Sequence, residues 1–324
     1  MQLFALTIGD SQVGSTRFRV MQYHQLFEQE RIELLCQEKS AWEFEKFKVG
    51  AAPRWILNQK CLLPISVARR FRHTGIPLLF DFDDAIYTRP GRPFSWWAGL
   101  RVKRRWKAWL KAADLVTVAN QYLAERAQLY AQRVEVVPMS LDLQVWHPRS
   151  IHDERIVRVG WAGAPHNLHH LEALAPVLKE FLTRAPQVKL CVFSGRRPVW
   201  DLPYEYTPFE PGADNHFIQG LDIGLLPLSD EPYSRGKSPI KALQYLACGV
   251  PVVGNVYGAT REICLPEHSI AIQSTKDWLP ALKQLVDDVS YRRMMGAAGR
   301  LFIEKNHNAQ KVGTRFIQLL HELG

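Results

Sequence analysis

Between Arg235 and Asn255 the chain runs Arg-Gly-Lys-Ser-Pro-Ile-Lys-Ala-Leu-Gln-Tyr-Leu-Ala-Cys-Gly-Val-Pro-Val-Val-Gly-Asn, with its cations crowded at one end. Ser238 suits a helix N-cap, and Pro239 suits the first helical position, where a missing N–H costs nothing. Ile240, Leu243, Tyr245, Leu246 and Ala247 give the helix an apolar face, Gly249 supplies a stop, and Pro251–Val253 reads as a buried strand. Unpaired N–H groups and the dipole make a helix start attractive to anions. Arg235, Lys237 and Lys241 add fixed charge there. The chemistry on offer is neutralisation of a phosphate or diphosphate; the plainer account is a solvated basic turn, and this stretch alone is compatible with both.

Asp81-Phe-Asp-Asp84 follows the apolar run Leu78–Phe80, so its carboxylates belong at the carboxyl edge of a sheet. Like charges this close need solvent, Arg or Lys partners, a metal or a hydroxylated ligand. Gly14-Ser-Thr-Arg-Phe-Arg19, after the first strand, offers backbone N–H groups at Gly14 and Ser15 and the cations Arg17 and Arg19. It is not a GxGxxG fingerprint, so a nicotinamide cofactor gains no support. In the second half, Gly160 and Gly163 of Val159-Gly-Trp-Ala-Gly-Ala-Pro-His166 let backbone approach a ligand, as does Ser194-Gly-Arg-Arg197. Three such strand ends in one domain favour a shared phosphate-bearing ligand. The histidines His166, His169 and His170 lack a carboxylate or cysteine in register, so solvent-facing imidazoles are expected and no metal.

These residues must be carried by alternating strands and helices. Strands are expected at Leu3–Gly9, Ile32–Leu35, Arg54–Leu57, Pro77–Phe80, Leu115–Val118 and Val134–Pro138, with helices at Arg17–Glu30, Pro64–His73, Trp97–Ala112 and Gln121–Ala131. After a Pro- and charge-rich stretch at Trp146–Glu154 the alternation restarts. Strands follow at Ile156–Val159, Val188–Phe193, Tyr204–Pro208, Ile223–Leu228 and Ile270–Gln273, helices at Leu168–Thr183 and Asn215–Gln219, and three more between Lys276 and Leu323. This is the pattern of an α/β protein with two doubly wound, Rossmann-like domains, residues 1–148 and 149–324, with a ligand cleft between them and a last helix that can return to the first domain.

A content of 47% hydrophobic and 23% charged residues is ordinary for a folded globular chain, and no run approaches a membrane span. Met1–Ile8 reads as a first strand rather than a secretory leader. Five scattered cysteines without ligand spacing read as reduced core thiols, expected of a cytoplasmic protein. The net charge of +9 is lopsided: residues 1–150 carry 22 Lys and Arg against 14 Asp and Glu, residues 151–324 only 19 against 18. The first half is therefore expected to meet something anionic. Residues 94–111 combine Phe94, Trp96 and Trp97 with Arg101, Lys103, Arg104, Arg105, Lys107 and Lys111, which suits an anionic membrane surface and less specifically a nucleic-acid backbone.

Taken together, Ser15–Arg19, Asp81–Asp84, Gly160–Pro165, Lys237–Lys241 and Gln244–Val253 make the chain resemble the retaining glycosyltransferases of the GT-B fold, in particular the family 4-like group (glycosyltransferase group 1). The resemblance implies transfer of a sugar from a nucleoside diphosphate sugar to a glycan or lipid-linked acceptor, with retained configuration and no metal or other cofactor. It places the donor in the C-terminal domain, near Trp161, Gly163, Ala164, Pro165, Ser194, Gly195, Arg196, Ser238, Pro239, Lys241 and Gln244. The acceptor is expected near Gly14, Ser15, Arg17, Arg19 and Tyr87, with Lys237, Arg235, Asp83 and Asp84 catalytic. The family usually carries two glutamates eight residues apart; here those positions are Gly236 and Gln244. Asp230 or Glu231 is the substitute at hand, and a non-catalytic binding or scaffold protein, a nucleotide-sugar epimerase and a glycosyltransferase acting on nucleic acid are the alternatives.

Overall fold

The computed structural model describes residues 1–41, 52–148 and 155–324, so the expected linker at Trp146–Glu154 lies partly outside the described residues. The chain packs as two compact units. The first is Met1–Ser140 with Glu231–Ser238 and Ala309–Gly324; the second is Leu141–Asp230 with Pro239–Asn308.

In the first unit, strands β1 (Gln2–Thr7), β2 (Glu33–Glu38), β3 (Trp55–Gln59), β4 (Leu78–Phe82), β5 (Leu115–Val118) and β6 (Val134–Val136) form one parallel sheet in the order β2-β1-β3-β4-β5-β6. Its helices include α1 (Gly14–Arg19), α2 (His24–Gln29), α3 (Ile65–Arg72), α4 (Trp96–Ala112) and α5 (Gln121–Ala127). Parallel pairing requires crossovers, and these cover both faces of the sheet, which is why its central strands read as continuous apolar runs. Phe4, Leu6, Phe80 and Phe82 pack on one face with Phe71, Trp106 and Trp109. Leu3, Ala5, Trp55 and Leu57 pack on the other with Phe27 and Phe316. The helix expected over Arg17–Glu30 is broken, because Val20 leaves helical geometry (φ −129°) as Val20 and Tyr23 enter the core.

In the second unit, β7 (Val157–Ala162), β8 (Val188–Ser194), β9 (Glu205–Pro208), β10 (Ile223–Leu226), β11 (Val252–Asn255) and β12 (Ser269–Ile272) form a second parallel sheet, ordered β12-β11-β10-β7-β8-β9. Helices α6 (Leu168–Glu172), α7 (Ala175–Arg184) and α8 (Asp214–Gln219) precede α9 (Pro232–Gly236), which packs in the first unit. Then come α10 (Ile240–Ala247), α11 (Trp278–Asp287) and α12 (Val289–Asn306), and α13 (Ala309–His321) rejoins the first unit. The single helix expected over Leu168–Thr183 is two, since Pro176 has no N–H to donate back across the break. Helix α10 stops where expected, at Gly249 in the left-handed region (φ 72°).

Two local expectations need correction. Ser238 does not cap α10: the helix begins at Ile240, with Pro239 before it and no side-chain cap. Four cysteines are buried, but Cys36 is exposed because β2 is a sheet edge. Among the described residues no helix is long and apolar enough to cross a membrane.

Candidate functional site

Strand order reverses between β1 and β3 in the first sheet and between β7 and β10 in the second. Ligands of such sheets bind at the carboxyl ends of the strands beside the reversal, where neighbouring connections leave in opposite directions. Each unit therefore presents one such edge.

In the first unit that edge is organised by Lys60, the residue after β3. Its φ of 64° is unusual for a residue with a side chain and costs about 1 kcal/mol or more. The turn lets its amide donate to the Asp81 carbonyl at 2.7 Å. The ammonium reaches Asp83 Oδ1 at 2.9 Å, Ser15 Oγ at 3.0 Å, and Asp84. Ser15 Oγ in turn donates to Asp83 Oδ2 at 2.7 Å. Three connections, after β1, β3 and β4, thus meet in one charged cluster. The carboxylates' need for a cation was legible in the sequence; the identity of that cation was not.

The electrostatics follow from burial. Burial opposes the charge on Lys60, but Asp83 and Asp84 outweigh it and raise its pKa above the ordinary lysine value. Burial likewise pushes Asp83 up, yet Lys60, by charge and hydrogen bond, and Ser15 hold it below the usual carboxylate range. Asp83 is therefore a fixed anion that positions Lys60, not a proton donor. Lys237 is different: burial lowers its pKa and Lys60 repels it, against the pull of Asp84 and Glu231. It is the cation here whose proton is held least tightly.

The Glu231–Ser238 segment closes on this cluster within the same unit. Tyr233 donates to Asp84 Oδ2 at 3.3 Å, and Ser238 Oγ, instead of capping α10, donates to the Asp83 carbonyl at 2.6 Å. Glu231 accepts from the Gly91 amide at 3.1 Å and the Ser234 hydroxyl at 3.3 Å. Gly236 explains its own identity: a β-carbon there would stand 2.8 Å from Ala85 Cβ and 3.1 Å from Leu123 Cδ2. No glutamate fits that position without moving both neighbours. Arg235 is exposed in the last turn of α9.

Other residues expected at the acceptor divide. Gly14 is exposed with open space at its α-carbon, and Arg17 is half-buried over the Phe18 ring. Arg19 is not presented to a ligand. It is 3% exposed, grips Asp81 through Nε at 3.0 Å and through Nη2, and donates from Nη1 to the Val137 carbonyl. Thr117 completes Asp81 at 2.7 Å. Tyr87 stacks on Trp106, centroids 4.4 Å apart, with its hydroxyl buried and without a hydrogen-bond partner among the described residues.

At the carboxyl edge of the second sheet, Ala164, Pro165, Gly195 and Arg196 are exposed. The Gly163 amide donates to the Phe193 carbonyl at 3.0 Å, and Pro165 packs against Gly195, tying the turns after β7 and β8 together. Arg196 lies 3.8 Å from Glu172. Trp161 corrects the expectation that it shapes a nucleotide site. Alternation along β7 sends Val157, Val159 and Trp161 into the core, and the indole passes under Gly163, where a β-carbon would come within 2.3 Å of it. Ser194 is fully buried, its hydroxyl without a hydrogen-bond partner among the described residues, while its carbonyl accepts from Tyr206 at 2.7 Å and Phe209 at 3.0 Å.

Gln244 is also inward, 1% exposed, donating from Nε2 to Asp214 Oδ2 at 3.2 Å. Lys241 Nζ stands 3.7 Å from the same oxygen. Tyr245, fully buried, accepts the Ala162 amide at 2.9 Å and so anchors α10 to the end of β7. Asp214 belongs to no sequence motif, and Tyr245 read only as part of the apolar face of its helix. Among the described residues no group of three or more His, Cys, Asp or Glu is placed to hold a metal ion.

Set against known structures, the architecture has close counterparts. Sucrose-phosphate synthase from Thermosynechococcus elongatus superposes with a TM-score of 0.79, covering 100% of this chain and 99% of that one at 13% identity. The chain has the GT-B fold. HepE from Anabaena, solved in complex with UDP, superposes with a TM-score of 0.69 over 99% of this chain and 100% of that one at 14% identity. No protein-family model matches the chain. Among curated proteins, TuaH of Bacillus subtilis, whose name assigns it to teichuronic acid biosynthesis as a glycosyltransferase, is 34% identical over 59 residues. That stretch is 18% of this chain and 15% of TuaH.

Proposed function

We propose that this GT-B chain is a glycosyltransferase that moves a sugar from a UDP-sugar to a glycan or lipid-linked acceptor at the cytoplasmic face of a membrane. Transfer retains configuration and requires no metal. The observation that carries the reading is the superposition over essentially the whole chain on HepE, which has been solved with UDP and with UDP-glucose. The exposed residues Ala164, Pro165, Gly195 and Arg196, with half-buried Gly163, are the surface offered to the nucleotide, with Lys241 held beside Asp214. Ser15 and Arg17 at the first unit's edge, with Asp84, contact the acceptor. Lys237, assisted by Arg235, neutralises the departing diphosphate; charge preplaced where negative charge develops is the main catalytic device. Lys60 and Asp83 hold Asp84 and the α9 segment in register for this.

The test is turnover of UDP-sugars with and without candidate acceptors. UDP release that depends on acceptor supports the enzyme, and Lys237→Ala is expected to lower it by about 10²–10³-fold, the usual cost of one preorganised charge-stabilising group. Wild-type turnover in that variant removes Lys237 from the mechanism. A second reading, a binding protein without transferase activity, is favoured by Gly236 and the inward-facing Gln244 where the resemblance expects glutamates. It predicts that UDP raises the melting temperature while no acceptor elicits release.

A further inference from the structure

We infer that the first turns of α4 form an anchor for an anionic membrane, with Trp96 and Trp97 seated among lipid headgroups and Arg92, Arg101, Lys103 and Arg104 facing lipid phosphates. Trp96 is 69% and Trp97 73% exposed, and burying such a side chain is worth about 2 kcal/mol or more, so two adjacent indoles left in water call for a partner. Along this segment the charge has one sign. No Asp or Glu occurs between Asp84 and Asp114, and Arg92, Arg101, Lys103 and Arg104 are all exposed.

The packing of α4 shows where this patch lies. Trp109 meets Phe80 and Trp106 meets Phe82, so the helix runs against β4 and its N-terminus points to the carboxyl edge. At 1.5 Å per residue, Trp97 stands about 14 Å further along the axis than Trp106, past the end of the strand. The overhang lies at the edge that carries Ser15, Lys60 and Asp84. A shallow groove beside it is lined by Pro64, Ile65, Trp97, Leu100, Arg101 and Arg104, apolar surface flanked by guanidinium groups. That is the composition of an interfacial anchor, an aromatic tip with a cationic flank. A nucleic acid fits less well, because the two indoles sit edge to face, centroids 4.2 Å apart at 69°, occupying a ring face on which a base would stack.

The anchor extends the proposal of a lipid-linked acceptor, but its test needs no donor and no turnover, so the two can fail separately. The full chain is sedimented with vesicles of phosphatidylcholine alone or mixed with phosphatidylglycerol. Co-sedimentation with the anionic vesicles, weakened by added salt, is expected. Arg101→Gln/Arg104→Gln should weaken partitioning roughly 25-fold, about fivefold per cation removed. Trp96→Ala/Trp97→Ala should weaken it too and abolish extra quenching of tryptophan fluorescence by brominated lipid. Both variants should keep the wild-type melting temperature, since the residues are exposed. Equal binding to neutral vesicles, wild-type partitioning by both variants, or retention on duplex DNA without vesicle binding would each overturn the assignment.

Discussion

Replacing Lys60 by Met isolates the cluster on which the first unit's edge depends. Methionine keeps much of the aliphatic volume and removes the charge. Asp83, 4% exposed, then faces Asp84 without the ammonium that stood 2.9 Å from one and in contact with the other. Removing one partner of a buried pair typically costs 3–5 kcal/mol, because the remaining charge is left uncompensated. Here two carboxylates share the deficit, so about 4 kcal/mol is expected at neutral pH, read as a fall in melting temperature of the first unit. The pH dependence has a definite sign. In the wild type Asp83 titrates below its ordinary value, so its contribution is present above about pH 4 and lost as pH falls through the lower folded value. In the variant, burial raises the Asp83 pKa with no ammonium to oppose it, so acidification protonates and relieves that carboxylate. The stability gap between the two proteins should therefore narrow from pH 7 towards pH 4. Lys60→Met/Asp83→Asn should recover part of the loss, since the amide needs no counter-charge. A gap below about 0.5 kcal/mol at pH 7, or one that widens on acidification, would refute the ion-pair account.

Gly236→Glu, which restores the side chain that the resemblance expects, should destabilise the first unit by about 1–3 kcal/mol through overpacking against Ala85 and Leu123, as measured by thermal unfolding. Stability equal to wild type would mean that the segment can draw back from those neighbours. Tyr245→Phe leaves the buried Ala162 amide without its acceptor and should cost about 1–3 kcal/mol in the second unit, with loss of protection of that amide in hydrogen exchange. Retained protection would show that the tyrosine hydroxyl is not its anchor.

Much of the fold was written in local pattern. Leu115–Val118 is a strand to the residue, and the apolar run before Asp81 placed three carboxylates at the sheet's carboxyl edge, where they are found. The helix expected over Trp97–Ala112 is present, with Trp106, Trp109 and Leu110 buried. What failed were inferences about partners. Trp161 and Gln244 sit in motifs that read as ligand-facing, yet one belongs to the core face of β7 and the other turns to Asp214.

Composition and periodicity determined that this chain builds two doubly wound α/β units and brings carboxylates and Gly-rich turns to strand ends, because helix and strand periods are set by residues a few positions apart. Which cation answers which carboxylate was decided only by tertiary structure. Lys60 meets Asp83 because β3 and β4 are neighbours, and Ser15 joins them because β1 adjoins β3. Ser238, 155 positions from Asp83, arrives only because its segment packs in the first unit. Contacts of that span depend on how crossovers order the strands, and no local spacing encodes that order.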